Sequence, residues 1–341
     1  MTKNTKLSLF FFLILLVVFV MNISLGSVFI PIKDVFSSIF LGKSEQSVWS
    51  YIVLNYRIPK AFTAIIVGSG LGLSGLLMQT YFRNPLAGPY VLGLSSGSGL
   101  GVALLLMGSG LFGLSLSSSM LFSKTAIILA SSLGSILVMS AILVTSLRIK
   151  DSMGLLIIGL MFASITGAVV SVLSYFSTSD NLQQYVFWSL GSLGDLSWSE
   201  VGILSFFWLI GILLCFSLIK SLDALLIGEN YAKSLGVNLK QLKIICILAT
   251  CILTGSITAF AGPIAFIGLA IPHLARLATK TSRHLVLIPL VSFLGAIVML
   301  VTDSISQLPG LEFTLPINAV TSIFGAPIVI WLIVKSRQLN F

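Results

Sequence analysis

Long apolar stretches recur along almost the whole chain, each about as long as a helix that crosses a membrane. Such a helix needs about 20 mostly apolar residues. The pattern predicts ten spans, at 7–28, 60–80, 90–108, 122–147, 152–176, 198–219, 241–261, 264–279, 286–304 and 318–335. The eighth is short and contains Gly268 and Pro272, and a nine-span alternative merges it with its neighbour. We therefore expect an all-α membrane protein with one transmembrane domain over residues 1–341.

The composition supports a lipid environment. Of the 341 residues, 57% are hydrophobic and only 9% are charged, whereas a soluble domain has roughly 25% charged residues. The basic start and first apolar stretch are similar to a signal peptide, but no clean cleavage site follows. We interpret this stretch as a retained first helix.

The positive charges are distributed unevenly between the two sides of the predicted membrane domain. Of the 19 Lys and Arg residues, 14 fall on the side of the N-terminus. Cytoplasmic loops carry such an excess, so both termini are predicted to be cytoplasmic. The net charge of +9 then reflects topology and gives no reason to expect a nucleic-acid partner.

Ionisable side chains are almost absent from the predicted spans, although ion-coupled transporters usually need them there. Asp303 stands near the outer end of the ninth span without an obvious basic partner. We interpret it either as a packing residue at the helix end or as a proton site. No complete phosphate-binding loop and no cluster of His, Asp and Glu within the spans is present. We expect neither enzymatic activity nor a bound metal; His273 as a metal ligand is the disfavoured alternative.

Small residues recur at helical spacing in several spans. Gly68 and Gly72 stand four residues apart, as do Gly93, Gly97 and Gly101. This spacing places small residues on one helix face and allows close helix packing, and such a face can also line a path. Candidate path residues, chosen by composition alone, are Ser69, Ser74, Met78, Met161, Ser164 and Thr166.

The longest predicted cytoplasmic connection, 220–243, is amphipathic. Residues Leu225, Gly228, Ala232 and Leu235 form one helical stripe. We predict two short helices that meet at Gly228, with Glu229 at the start of the second and Gly236 at its end. The segment either docks in a groove of a partner or lies on lipid headgroups.

Two cations flank Pro59 on the predicted outer side. Arg57 and Lys60 either anchor the chain at lipid headgroups or receive carboxylates of an external protein. Arginine is suited to two-pronged contact with a carboxylate, whereas lysine offers a point charge.

These segments resemble the FecCD family of bacterial ABC-importer permeases over about residues 50–337. Arg57-Ile58-Pro59-Lys60 resembles the family's RLPR, and 225–237 resembles its coupling segment. Further matching residues are Arg83, Asn84 and Pro85 within 74–101, Gly262, Pro263, Gly268, Pro272, His273 and Arg276 within 262–276, and Gly325-Ala326-Pro327.

The resemblance implies a type II ABC-importer permease fold in the bacterial inner (plasma) membrane, paired with a second copy or a paralogue. Two cytoplasmic ATPase subunits, which use ATP and Mg²⁺, would dock on the coupling segment. A periplasmic or lipid-anchored binding protein would dock at Arg57 and Lys60. His273 and Arg276 would belong to a helix end or a cytoplasmic gate region. The implied cargo is a metal chelate, with a ferric siderophore ahead of heme and cobalamin; an ion-coupled secondary transporter is the alternative.

The sequence departs from the family pattern at several positions. Lys60 replaces an arginine, and Gln307 stands where some members have an arginine that contacts the binding protein. Asn318 stands in place of a glycine, and we expect it to adopt the positive φ of that turn.

Overall fold

The computed structural model describes residues 3–42, 46–108, 123–149, 152–194, 196–307 and 314–336, and the regular elements in those ranges are all helical. The first α-helices are Lys3–Ser24 (α1), Ile32–Leu41 (α2), Ser47–Ile52 (α3), Ile58–Tyr81 (α4), Leu94–Leu106 (α5), Lys124–Arg148 (α6) and Ser152–Tyr175 (α7). They are followed by Ser179–Ser189 (α8), Trp198–Ser217 (α9), Ile219–Ile227 (α10), Glu229–Ser234 (α11), Leu239–Ala261 (α12), Ile267–Thr279 (α13), His284–Ser306 (α14) and Ile317–Ser336 (α15).

Seven helical stretches in the described part of the chain are long and apolar enough to cross a membrane. They are Thr5–Ser24, Ser47–Tyr81, Lys124–Ser146, Met153–Tyr175, Trp198–Ser217, Leu239–Ala261 and His284–Ser306. The other three predicted spans correspond to α5, α13 and α15, of which α5 and α13 have 13 residues each. The all-helical, multi-pass fold is confirmed, while ten crossings and cytoplasmic termini remain predictions.

The second span begins earlier than predicted, because a π-helical turn, Val53–Arg57, joins α3 directly to α4. In this turn the N–H of Ile58 donates to the carbonyl of Val53. Pro59 has no N–H to donate to the next carbonyl, that of Leu54. The indole Nε1 of Trp198 donates to it instead, at 2.9 Å. Arg57 and Lys60 therefore lie within a continuous helix.

The third span is shorter than predicted, and three helices were missed. A 3₁₀ turn at Pro89–Leu92 and Gly93 with φ of +72° delay the start of α5. The missed helices are α2, α3 and α8. For α2 a signal exists, since Pro31 precedes it and Gly42 follows it, and this order is typical of helix ends.

The chain divides into two compact units. The first comprises Met1–Leu76, Ser192–Leu209 and Ile264–Phe341. Its centre is α4, whose glycines touch backbone of α13 and α14. A methyl group at Gly68 would overlap the carbonyl of Gly295, and one at Gly75 would overlap the carbonyl of Gly268. The small residues of α4 thus serve close helix crossings, as the spacing predicted.

The second unit comprises Leu77–Gly191 and Ile210–Pro263. Here α5 packs on α6, where Gly97 and Gly101 of α5 approach Gly134 and Ala130 of α6. Helix α6 begins with a cap in which Ser123 Oγ accepts from Ala126 N, and α12 begins with Asn238 Oδ1 accepting from Lys240 N and Gln241 N. The three cysteines are free thiols and are buried.

Candidate functional site

Asp303 lies at the centre of a polar cluster within the first unit, which we call the Asp303 cluster (Asn22, Lys60, Asp303 and Gln307). Lys60 Nζ lies 3.0 Å from Asp303 Oδ1. Asn22 Nδ2 and Gln307 Nε2 donate to Asp303 Oδ2 at 3.0 and 2.9 Å. The cluster joins α1, α4 and the end of α14.

The expectation that Asp303 has no basic partner was therefore wrong. Asp303 is 1% exposed, so its charge needs the compensation that Lys60 and the two amides give. The Lys60 side chain keeps 17% exposure. Lys60 and Asp303 are far apart in sequence, and no local spacing reveals that they meet.

Arg57 is directed into the protein. Its Nη1 donates to the carbonyls of Ile23 and Ser24 at 2.7 and 2.9 Å, and its Nη2 donates to the carbonyl of Val28. The residue is 9% exposed. A cation at the last carbonyls of α1 is favourable for the helix dipole. In this conformation the guanidinium holds the segment after α1 and presents no free fork for a carboxylate.

The coupling segment has the predicted two-helix form. Helix α10 ends at Ile227, and Gly228, with φ of +145° and ψ of +149°, separates it from α11, which begins at Glu229. Gly236 has φ of +81°, and the N–H of Val237 donates to the carbonyl of Ala232 at 3.0 Å. This is the hydrogen bond of a Schellman helix end.

The coupling residues differ in exposure. Ala232 and Leu225 are buried against their own unit, whereas Leu235 is exposed. Leu226, Ile227 and Tyr231 are further exposed apolar side chains of the same segment, which the helical stripe did not single out.

The Arg83-Asn84-Pro85 segment forms a turn at the end of α4. Arg83 has φ of +46°, and Asn84 N donates to the carbonyl of Gln79 at 3.1 Å. Asn84 Oδ1 accepts from Leu86 N at 2.9 Å. The asparagine thus closes the turn, and the exposed Arg83 side chain is presented outside it.

Two motif segments meet within the first unit. Phe266 precedes α13 with φ of +67°, and a methyl group at Gly325 of α15 would overlap its Cβ. Ala265 N donates to Asn318 Oδ1 at 3.1 Å. The positive φ expected at Asn318 was wrong: Asn318 lies in the first turn of α15, and its side chain holds the segment before α13.

Helix α13 contains the remaining motif residues. Gly268 and Pro272 are buried, and His273 and Arg276 are half-buried. The Nδ1 of His273 is buried and has no hydrogen-bond partner among the described residues. In the same ranges, no three His, Cys, Asp or Glu side chains lie close enough together to hold a metal ion.

A cavity of about 220 Å³ opens in the second unit; we call it the serine cavity. Its lining combines small and aromatic residues: Ser95, Ser96, Gly99, Gly167, Val170, Tyr185, Trp188, Ser189 and Pro263. Gly262, with φ of +74°, lies against the carbonyl of Trp188 and Cα of Gly191, so this motif residue positions α8. Burial raises the pKa of the Tyr185 phenol, which keeps it a neutral donor.

The path residues chosen by composition differ in exposure, and their role in a path stays a prediction. Ser69, Ser74, Met78 and Thr166 are buried, whereas Met161 and Ser164 are exposed on α7. Ser69 Oγ accepts from Trp208 Nε1 at 2.8 Å, and Ser74 Oγ donates to the carbonyl of Gly70 at 2.8 Å. The serine cavity is lined by other small residues of α5 and α7, among them Ser95, Ser96 and Gly167.

Comparison with known proteins identifies a family and two relatives with named functions. The model of the FecCD transport family matches residues 14–335. The hemin transport system permease protein HmuU of Yersinia pestis is 32% identical over 335 residues, which cover 98% of this chain and 97% of that protein. The vitamin B12 import system permease protein BtuC of Klebsiella pneumoniae is 34% identical, with 95% and 92% covered.

A solved structure has the same fold. It is described as an inward-facing conformation of a metal-chelate type ABC transporter, and it matches with a TM-score of 0.84 and 28% identity. The match covers 97% of this chain and 99% of that one. The type II importer permease fold expected from the motifs is thereby confirmed.

Proposed function

The chain belongs to the FecCD transport family, and from that membership we propose that it is the membrane permease subunit of an ATP-driven importer in the bacterial inner membrane. The observation that carries the proposal is the full-length match, in sequence and in fold, to permeases of such importers. The chain itself catalyses no reaction, and ATP and Mg²⁺ are used by two separate ATPase subunits.

We propose a metal chelate as the cargo, and a ferric siderophore as its most specific form. Relatives named for hemin and for vitamin B12, and the metal-chelate transporter structure, support the broader class. The serine cavity supports it further, because its lining carries hydroxyls and aromatic rings and no charged side chain. An uncharged wall suits a chelate whose metal takes no ligand from the protein, and at about 220 Å³ the cavity would contact one part of such a chelate. Heme and cobalamin are the alternatives.

The ATPase subunits are proposed to dock on the coupling segment. Leu226, Ile227, Tyr231 and Leu235 supply exposed apolar area on two short helices. A partner groove that receives such a surface gains from burying it. Glu229 at the start of α11 fixes the helix end electrostatically.

The binding protein is proposed to dock at the start of α4, with Lys60 as the cation that meets its acidic residues. Lys60 retains exposed surface, so a carboxylate from outside can share it with Asp303. Arg57 supports this surface from beneath by holding the segment after α1. A second permease copy or a paralogue completes the importer.

Reconstitution tests the function directly. The purified chain is placed in liposomes with its ATPase and binding protein, and uptake of radioactive iron is measured on a panel of siderophores, with heme and cobalamin as competitors. We expect ATP-dependent uptake that stops when any one component is omitted. Uptake by the chain alone, driven by an ion gradient, would contradict the proposal and support a secondary transporter.

A matched pair of variants tests the docking site in the same liposomes. Lys60→Met removes the proposed contact, whereas Lys33→Met removes an exposed lysine of α2, which the predicted topology places on the same side. We expect weaker binding-protein affinity only for Lys60→Met. Equal affinity for the two variants would place the docking site elsewhere.

A further inference from the structure

A second cavity of the second unit, of about 360 Å³, lies where three candidate membrane spans end. We call it the lysine cavity. Its lining is Tyr81, Ser146, Ile149, Leu225, Glu229, Lys233, Leu239, Lys240, Leu242, Lys243 and Ile244. Tyr81 and Ser146 are the last residues of two spans, and Leu239 is the first residue of a third. The cavity therefore lies at a membrane boundary, at the depth of lipid headgroups.

The lining carries an excess of positive charge. Three lysines face one carboxylate, that of Glu229. The ammonium group of Lys243 already has partners, since its Nζ donates to the carbonyls of Ser146 and Ile149 at 2.7 and 2.8 Å. Glu229 is also close enough to interact with it electrostatically. Lys233 and Lys240 are exposed, and their ammonium groups have no ion-pair or hydrogen-bond partner in the ranges that the structure describes. Two exposed ammonium groups thus form a basic rim at which an open cavity can receive an anion.

We propose that the lysine cavity binds the phosphate of an anionic lipid headgroup. Lysine is a point charge that suits a phosphate oxygen, and basic pockets between membrane helices recognise headgroups in this way. Tyr81 supplies an aromatic ring at the interface, where such rings are enriched. Leu239, Leu242 and Ile244 provide apolar contact for the glycerol and first acyl carbons.

This site shares the coupling segment with the proposed ATPase surface but uses other side chains of that segment. The exposed apolar side chains of the coupling segment, Leu226, Ile227, Tyr231 and Leu235, do not line the cavity. Leu225 and Glu229 do, so a bound lipid would contact α10 and α11 from the membrane side. A lipid bound in the lysine cavity would then bias the position of the coupling segment, on which the ATPase subunits are proposed to dock. Lipid binding belongs to the chain alone and is measured without the other subunits.

The test compares lipid retention by native mass spectrometry after purification from nanodiscs of phosphatidylcholine with phosphatidylglycerol. Wild type should retain phosphatidylglycerol in preference to phosphatidylcholine. The pair Lys233→Gln and Lys240→Gln should weaken retention about 30-fold, because each lysine near an anionic surface contributes roughly a factor of five. The pair Lys233→Arg and Lys240→Arg should retain it, which shows that a loss reflects charge and not misfolding.

The matched control is Lys220→Gln, an exposed lysine of α10 outside the lining. Equal loss in this control, or no loss in the double glutamine variant, would overturn the proposal. Inorganic phosphate, titrated against the detergent-solubilised chain, distinguishes the sources. Competition at high phosphate concentration is expected of any phosphate site, whereas phosphate that binds more tightly than phosphatidylglycerol would make the site one for free phosphate. The double glutamine variant could instead bind the ATPase subunits more weakly and retain lipid as the wild type does. That result would make the cavity part of the ATPase docking site and overturn the lipid proposal.

Discussion

Lys60 and Asp303 form an ion pair of 3.0 Å that joins α4 to α14, and the carboxylate of this pair also accepts from Asn22 of α1 and from Gln307. The two partners contribute unequally. Asp303 is 1% exposed, whereas the Lys60 side chain keeps 17% exposure and can be reached by water. This asymmetry gives a rank order of stability.

We expect Lys60→Met to destabilise the protein more than Asp303→Leu does. The first change leaves a carboxylate that is 1% exposed without its counter-ion, at a cost of about 3–5 kcal/mol. The second leaves an ammonium that water can reach, and Asn22 Nδ2 still donates to the carbonyl of Leu300 and to Ser304 Oγ, so the cost is roughly 1–3 kcal/mol. Thermal unfolding in nanodiscs measures both. Asp180→Leu, at an exposed position of α8, is the control, and a larger cost for Asp303→Leu would contradict the assignment.

Arg57 is expected to matter for stability more than for binding-protein affinity. Arg57→Lys keeps the charge but loses the fork that reaches the carbonyls of Ile23, Ser24 and Val28. We expect a loss of about 1.5–3 kcal/mol in unfolding free energy. Binding-protein affinity, measured at a temperature where the variant is folded, should change less than in Lys60→Met. A stable Arg57→Lys variant with lost affinity would make Arg57 the docking cation.

The features that depend on residues close together in the sequence were predicted correctly. The break at Gly228, the helix end at Gly236 and the glycine faces of α4 and α5 follow from short-range patterns. The Asp303 cluster, the contact of Phe266 with Gly325 and the role of Asn318 join distant segments, and no periodicity encodes such meetings. The lining of the serine cavity was missed for the same reason, since composition does not tell which of many serines share a wall.

The crossing of Gly68 and Gly295 makes both positions intolerant of a side chain. Gly295→Ala would place a methyl group against the carbonyl of Gly68, and backbone there cannot yield without separating α4 from α14. Overpacking of this kind costs about 1–3 kcal/mol. Gly202→Ala is the control, because nothing lies within 4 Å of the added methyl group. Fluorescence-detected size exclusion after heating should show a smaller peak of folded protein only for Gly295→Ala. Equal peaks for the two variants would exclude the close contact between Gly68 and Gly295.

Arg83 occupies a left-handed conformation that favours glycine. We expect Arg83→Gly to keep or raise the unfolding free energy, by up to about 1 kcal/mol, because the change removes a Cβ from a strained position. Arg83→Ala keeps the strain and should be less stable than Arg83→Gly. Uptake in the reconstituted importer distinguishes a role in transport from a role in folding. Equal loss of uptake in both variants would show that the Arg83 side chain is needed for transport. Normal uptake in both would show that Arg83 serves only the turn.

Substitution of Gly228 tests whether the ATPase subunits act on the chain through the coupling segment. Its φ of +145° with ψ of +149° belongs to glycine, and any side chain costs about 1–3 kcal/mol there. No atom lies within 4 Å of an added Cβ, so the strain comes from the backbone and not from a clash. Gly228→Ala should therefore reduce ATPase assembly and stimulation about as much as Gly228→Leu, with membrane insertion unchanged, since the joint lies between two short helices outside the spans. Gly202→Ala controls for loss of a glycine elsewhere, and full ATPase stimulation in both Gly228 variants would mean that the motor docks on another surface.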